Sequence, residues 1–141
     1  MNNRGRLSSN KGFTLIEIIA VLVILGILAA VAVPKYLDLA AEARVKSAQV
    51  ALAEIKGRLS SVQAKVMLKN GGIAPTSPQL YTNAIAAANG YGTLANLVNL
   101  GPDYTVTVTT GTPISINVTA VQGTALGANS VAGNFKAVGD P

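Results

Sequence analysis

The chain contains no cysteine and no histidine. That removes thiol nucleophiles, disulfide bonds, imidazole bases and most zinc or copper sites. Tryptophan is also missing, and the six aromatic residues (Phe13, Tyr36, Tyr81, Tyr91, Tyr104 and Phe135) are scattered singly. They suit packing rather than a continuous stacking path. Only 12% of residues are charged, about half the share usual in soluble domains. Beyond Glu54 the acids are Asp103 and Asp140 alone, too few for a calcium ion that takes six to eight oxygens. Asp38 and Glu42 stand four residues apart, a spacing that suits paired carboxylates in acid–base work, but it suits a solvated helix face better. Neither a metal nor a cofactor is expected, and the composition does not read as that of an enzyme. The net charge of +5 is concentrated at the start, in Arg4, Arg6 and Lys11; from Phe13 onward eight Lys/Arg face six Asp/Glu, leaving +2. Lys65, Lys69 and Lys136 then read as solvated lysines, and no nucleic-acid partner is expected.

What the chain does have is one long apolar run. Ile18 to Val33 is sixteen residues without a polar side chain, and Phe13 to Val33 is apolar except for Thr14 and Glu17. As a helix it spans about 30 Å at about 1.5 Å per residue, the thickness of a bilayer core. Pro34 follows. From Leu37 to about Lys69 the pattern becomes that of an amphipathic helix. Val45, Ala48, Leu52, Ile55, Leu59, Val62 and Val66 recur in steps of three and four, drawing one apolar stripe. Glu42–Lys46 and Glu54–Arg58 lie off it as acid-before-base pairs, and Asn70-Gly71-Gly72 is a stop signal.

Ser77-Pro78 predicts a short helix through Ala88, ended by Asn89-Gly90. Thr93 caps another turn through Asn99. From Tyr104 the period changes to two. Tyr104, Val106 and Val108 alternate with threonines, Thr110-Gly111-Thr112 turns, and Ile114, Ile116 and Val118 alternate with polar residues, predicting a hairpin with one apolar face. A third strand is expected around Ser130 to Val138, interrupted by Gly133. The fold class is therefore α+β: a long N-terminal helix whose stripe packs on a small antiparallel sheet.

Three readings compete for the N-terminus: a secretory signal peptide with Ala30-Val31-Ala32 as its cleavage site, a plain membrane anchor, or a leader cut after Gly12. Glu17 separates them. A carboxylate in an apolar helix costs about 2.5–3.5 kcal/mol at bilayer depth, and only cleavage after Gly12 creates a cationic partner nearby, the new α-amino group of Phe13. Lys11-Gly12-Phe13-Thr14-Leu15-Ile16-Glu17 resembles the class III prepilin signal of type IV pilins and type II secretion pseudopilins. The likeness runs through the apolar segment into Val33-Pro34-Lys35-Tyr36.

That resemblance implies a set of roles. Gly12 would precede the cut of a prepilin peptidase, and Phe13 would be the new, N-methylated terminus. Glu17 would meet the terminus of a neighbouring subunit, with Thr14 beside that contact. Gly26 and Pro34 would weaken the helix in its membrane half. Residues 1–12 would be a cleaved leader, 13–36 a transmembrane and filament-core helix, 37–69 its amphipathic half, and 70–141 a connecting loop and antiparallel sheet. The implied partners are copies of the chain in a helical filament, the prepilin peptidase and methyltransferase, and an assembly platform with its ATPase. The precursor would cross the bacterial inner membrane once, and the assembled form would be an extracellular pilus for attachment, motility or DNA uptake. The alternative is a major pseudopilin of a type II secretion system; the shortage of acids for a calcium loop favours the pilin. Charge does not set orientation, because Arg4, Arg6 and Lys11 on one side of the run are matched by Lys35, Arg44 and Lys46 on the other.

Overall fold

The structure is a computed structural model that describes residues 12–141. The chain divides into two compact units, Met1–Leu39 and Ala40–Pro141; in the first, residues 1–11, with most of the expected leader and its Arg4, Arg6 and Lys11, lie outside the described part. Helix α1 spans Leu15–Lys69. Its start is fixed by Thr14, whose side-chain oxygen accepts the Glu17 N–H at 3.3 Å, and whose carbonyl accepts the same N–H at 3.1 Å. Phe13 therefore precedes the helix rather than opening it. Every residue from 12 to 39 is exposed, and the most apolar stretch of α1 has none of its length buried while being apolar enough to cross a membrane.

The second unit has its own core, built on the far half of α1. Ala48, Ala51, Ile55, Leu59, Val62 and Val66 are buried there. The expected stripe is displaced slightly: Ala51 takes a core position, while Val45 and Leu52 are half-buried at its edge. Leu52 instead lies over Gly133, where an added Cβ would come within 2.7 Å of its Cδ2. The glycine that interrupts the third predicted strand is thus the place where a helix side chain meets the sheet. At the C-terminus of α1, Gly71 and Gly72 take positive φ, and the Gly72 N–H bonds the Met67 carbonyl at 2.8 Å, which closes the last turn.

Two short helices connect α1 to the sheet. Helix α2 spans Ser77–Ala84, ending four residues short of the expected Ala88. The chain doubles back there, and the Tyr91 N–H bonds the Ala84 carbonyl at 2.7 Å. Gly90 passes so close that a Cβ on it would lie 2.1 Å from that oxygen, so its backbone occupies the space the longer helix would need. Helix α3, Leu94–Val98, is capped as expected by Thr93, whose hydroxyl oxygen accepts the Asn96 N–H at 3.1 Å.

The sheet is antiparallel. Strand β2 (Ile114–Val121) is central, pairing with β1 (Tyr104–Thr109), the two-residue β3 (Thr124–Ala125) and β4 (Val131–Phe135). The hairpin falls where the period of two predicts it, and Val106, Val108, Ile114, Ile116 and Val118 form the buried face. A bulge follows: Thr105 pairs with Ala120 but Val106 with Val118. That one-residue shift returns Val121 to the core side, where strict alternation would turn it outward.

Arg58 ties this unit together. Its Nε donates to Glu54 Oε1 at 3.0 Å, and its terminal nitrogen donates to the Leu97 and Asn99 carbonyls at 2.9 and 3.0 Å. The guanidinium also lies 5.4 Å from the centre of the Tyr91 ring. It supplies donors to the carbonyls at the end of α3, which have no helical partner of their own. Glu42 and Lys46, by contrast, form no ion pair among the described residues; both are exposed, where water competes for each charge.

The packing sets an order of stabilities. In a fragment beginning at Leu37, Ile55→Ala should lower the unfolding free energy by about 2–5 kcal/mol, because Ile55 is 0% exposed. Leu52→Ala should cost less, since the side chain is only half-buried and lies against a strand. Urea denaturation measures both, and a larger loss at Leu52 would contradict this placement of the core.

Candidate functional site

The residues singled out at the N-terminus fall in one exposed stretch. Gly12, Phe13 and Thr14 precede α1, and Glu17 sits in its first turn. Phe13 is 81% exposed. Thr14 and Glu17 stand as first and last members of a Thr-x-x-Glu sequence, and the Thr14 half of a capping box is formed. Sequence reasoning missed this: a carboxylate in the first turn also complements the helix dipole, so Glu17 has a local reason to be there besides any partner. Gly26 and Pro34 both lie inside the unbroken helix. Nothing stands within 4 Å of a Cβ placed on Gly26, so close packing within the chain does not account for that glycine. Pro34 has no N–H, which leaves the Ala30 carbonyl without its helical donor.

The arrangement offers a helix terminus, a carboxylate and a fully exposed apolar surface. Among the described residues Glu17 forms no ion pair. Among the described residues no group of three or more His, Cys, Asp or Glu is placed to hold a metal ion. Asp38 and Glu42 are both exposed on α1. Lys69 donates to the Ala88 carbonyl at 3.3 Å and to the Asn89 side chain, and Lys136 donates to the Pro141 carbonyl oxygen at 2.6 Å.

A second cluster was not anticipated from the sequence. Asp140 reaches the start of α2, where its carboxylate accepts the Ser77 N–H at 2.6 Å, the Ser77 hydroxyl, and the Ala137 N–H at 3.1 Å. Next to it the Gly139 N–H bonds the Pro75 carbonyl at 3.1 Å. Ser77 itself is completely buried. These bonds fasten the C-terminal tail to the helix that follows α1, in a chain with no disulfide available. Sequence carries little signal for it, because the partners are separated by 63 positions. The one hint is the Ser-Pro helix start, whose free N–H groups want an acceptor.

Comparison with known proteins adds to this geometry. The family described as the prokaryotic N-terminal methylation motif matches residues 7–33. The type IV narrow pilus major component PilA5 of Thermus thermophilus is 41% identical over 75 residues, which cover 52% of this chain and 59% of that protein. A type IV major pilin protein PilE of Neisseria gonorrhoeae is 51% identical over 65 residues, covering 46% of this chain and 36% of the relative. A Neisseria gonorrhoeae PilE1 is 41% identical over 91 residues, covering 57% and 41%. The chain thus spans less than two thirds of the length of these relatives. No solved structure matches it. The motif and the relatives together make the chain similar to type IV pilins, over its N-terminal methylation motif and about half of its length.

Asp140 gives this site a pH dependence. The Ser77 hydroxyl bond holds its carboxyl below the usual 3.8; partial burial opposes this, and the Ser77 and Ala137 N–H groups and the Lys136 charge add to the lowering. These partners bind the ionised form, so their contribution is complete above about pH 4 and is lost as the pH falls through the lowered folded value. Thermal melts across the acid range should show the wild-type Tm falling faster below about pH 4 than that of Asp140→Asn. The variant should already melt lower at neutral pH. Parallel curves would mean that the carboxylate is not what holds the tail.

Proposed function

We propose that the chain is the major structural subunit of a type IV pilus, a pilin that polymerises into an extracellular filament, and that it is not an enzyme. The observation that carries this reading is the coincidence of the methylation motif with a helix whose apolar first half is wholly uncovered. Such a surface needs lipid before assembly and other subunits after it. The relatives named as major pilus components support the pilin over the secretion pseudopilin. The precursor crosses the bacterial inner membrane once. A prepilin peptidase cuts after Gly12 and methylates Phe13, and a platform with its ATPase drives assembly. Residues 1–12 are then leader, 13–36 membrane span and later filament core, 37–69 the half of the helix that carries the domain, and 70–141 its loop and sheet. Attachment, motility and DNA uptake are the uses such a filament serves.

In this reading Glu17 meets the α-amino group of Phe13 on a neighbouring copy, with Thr14 beside the contact. Gly26 and Pro34 make the intervening helix able to unwind. An extended residue rises about 3.3 Å against about 1.5 Å in a helix, and Gly weakens a helix by about 1 kcal/mol relative to Ala. Loss of i→i−4 bonds around Gly26 to Pro34 in a filament reconstruction is the corresponding sign.

Material sheared from the cell surface should contain a chain that begins at Phe13 with a methylated amine, measured by mass spectrometry. A chain beginning at Met1 or Val33 would refute the processing step. Glu17→Leu should still insert in the membrane, because the apolar run is intact. Its filaments should be scarce or missing in electron micrographs, since removing one partner of a buried ion pair costs about 3–5 kcal/mol. Unchanged filament yield would rule out the role given to Glu17.

A further inference from the structure

In the second unit, one cavity is lined by an arginine that makes no ion pair among the described residues. It measures about 220 Å³ and is walled by Ala41, Arg44 and Val45 of α1 and by segment 124–129 beyond the centre of the sheet. The Nε of Arg44 is shielded from water and has no hydrogen-bond partner, and among the described residues Arg44 makes no ion pair. A guanidinium keeps its charge at any ordinary pH, so an arginine in a cavity wall that makes no ion pair among the described residues favours an anionic partner. The volume is below the roughly 300–1,000 Å³ of small-molecule sites. Of the remaining lining residues Ala41, Val45, Ala125 and Leu126 are apolar, and Thr124 and Asn129 are polar. A carboxylate carried on a short aliphatic stem fits that combination, and Arg is the residue suited to holding it through two N–H groups.

We propose that this cavity is a socket for the carboxylates of the Asp38–Glu42 turn of a second copy of the chain. The inference rests on the filament reading above and specifies one contact within it. Charge complementarity selects the occupant. Asp38 and Glu42 are exposed and, among the described residues, unpaired; Arg44 and Lys46 follow them directly along α1 and are also unpaired. A second copy displaced along the helix by two to eight residues, roughly 3–12 Å at 1.5 Å per residue, sets the acids of one copy beside the bases of the other. That contact is head-to-tail, with different surfaces on each side, and it repeats without closing. The unsatisfied Arg44 of the isolated chain is then satisfied by assembly.

The test uses the full chain in cells that assemble it. Arg44→Glu should reduce sheared filament at least tenfold while the membrane-held chain, processed to Phe13, stays at wild-type level. Asp38→Lys with Glu42→Lys should do the same. The triple variant, with all three charges reversed, should recover at least half of the wild-type filament. Because the chain has no cysteine, Glu42→Cys with Ala125→Cys gives a second measurement that leaves Arg44 in place: oxidised filaments should yield a ladder of disulfide-linked chains, and each single-cysteine variant should not. Wild-type yield from Arg44→Glu, or no ladder from filaments of the two-cysteine variant, would overturn the socket while leaving the filament reading intact. Failure of the unaltered chain to form any filament would overturn that reading itself.

Discussion

The physical constraint on which everything else depends is an apolar surface that the described residues leave uncovered. From Leu15 to Leu39 every residue of α1 is exposed, and Leu15, Ile16, Leu22, Ile27 and Leu28 are each at least 60% accessible. At about 25 cal/mol per Å² of apolar surface, leaving such a stretch in water is unfavourable by far more than the marginal stability of a small domain. Lipid or other protein must take the place of water. Helical structure follows from the same constraint, because a lipid-exposed backbone has to satisfy its own hydrogen bonds. In the pilin reading proposed above, that uncovered surface has two successive environments, membrane and filament, which accounts for a single segment that is apolar all round.

The second unit meets the opposite demand, since it must be folded before it is covered by anything. It does so with a core of modest size. Ile55, Leu59 and Val62 of α1 oppose Ile114, Ile116 and Val118 of the sheet, and polar ties fasten the periphery. Small domains often rely on disulfides for that purpose, and none is possible here. Arg58 holds the loop containing α3, the Ser47 hydroxyl bonds the Tyr104 hydroxyl at 2.7 Å across to β1, and Asp140 fastens the tail. Each tie spans many residues in sequence, so each constrains a loop that local propensity would leave free. The acids that are too few for a metal site are therefore still structural: Glu54 orients Arg58, and Asp140 completes the start of α2. Asp38 and Glu42, exposed and without an ion pair among the described residues, are open to contacts with other molecules.

Much of this was written in periodicity. The apolar run, the three-and-four spacing from Ala48 to Val66 and the alternation from Tyr104 to Val118 reveal helix, helix and hairpin, because each reports which face of a regular backbone avoids water. Thr93 and the paired glycines at 71 and 72 marked element ends through backbone groups that need a local partner. The N-terminal motif was legible because Gly12, Phe13, Thr14 and Glu17 fall in one short stretch of sequence, and their order alone carries the signal. What only the tertiary structure decided was contact between distant residues. Ala51 rather than Leu52 entered the core because Gly133 of β4 left a place for the leucine at the edge. Helix α2 stopped at Ala84 because Gly90 returned against its carbonyl. Val121 faced inward because a bulge at Thr105 and Val106 shifted the register. The Asp140 tie and the unanswered Arg44 donor had no sequence signature, since hydrogen bonding and burial at those positions depend on where separate elements come to rest.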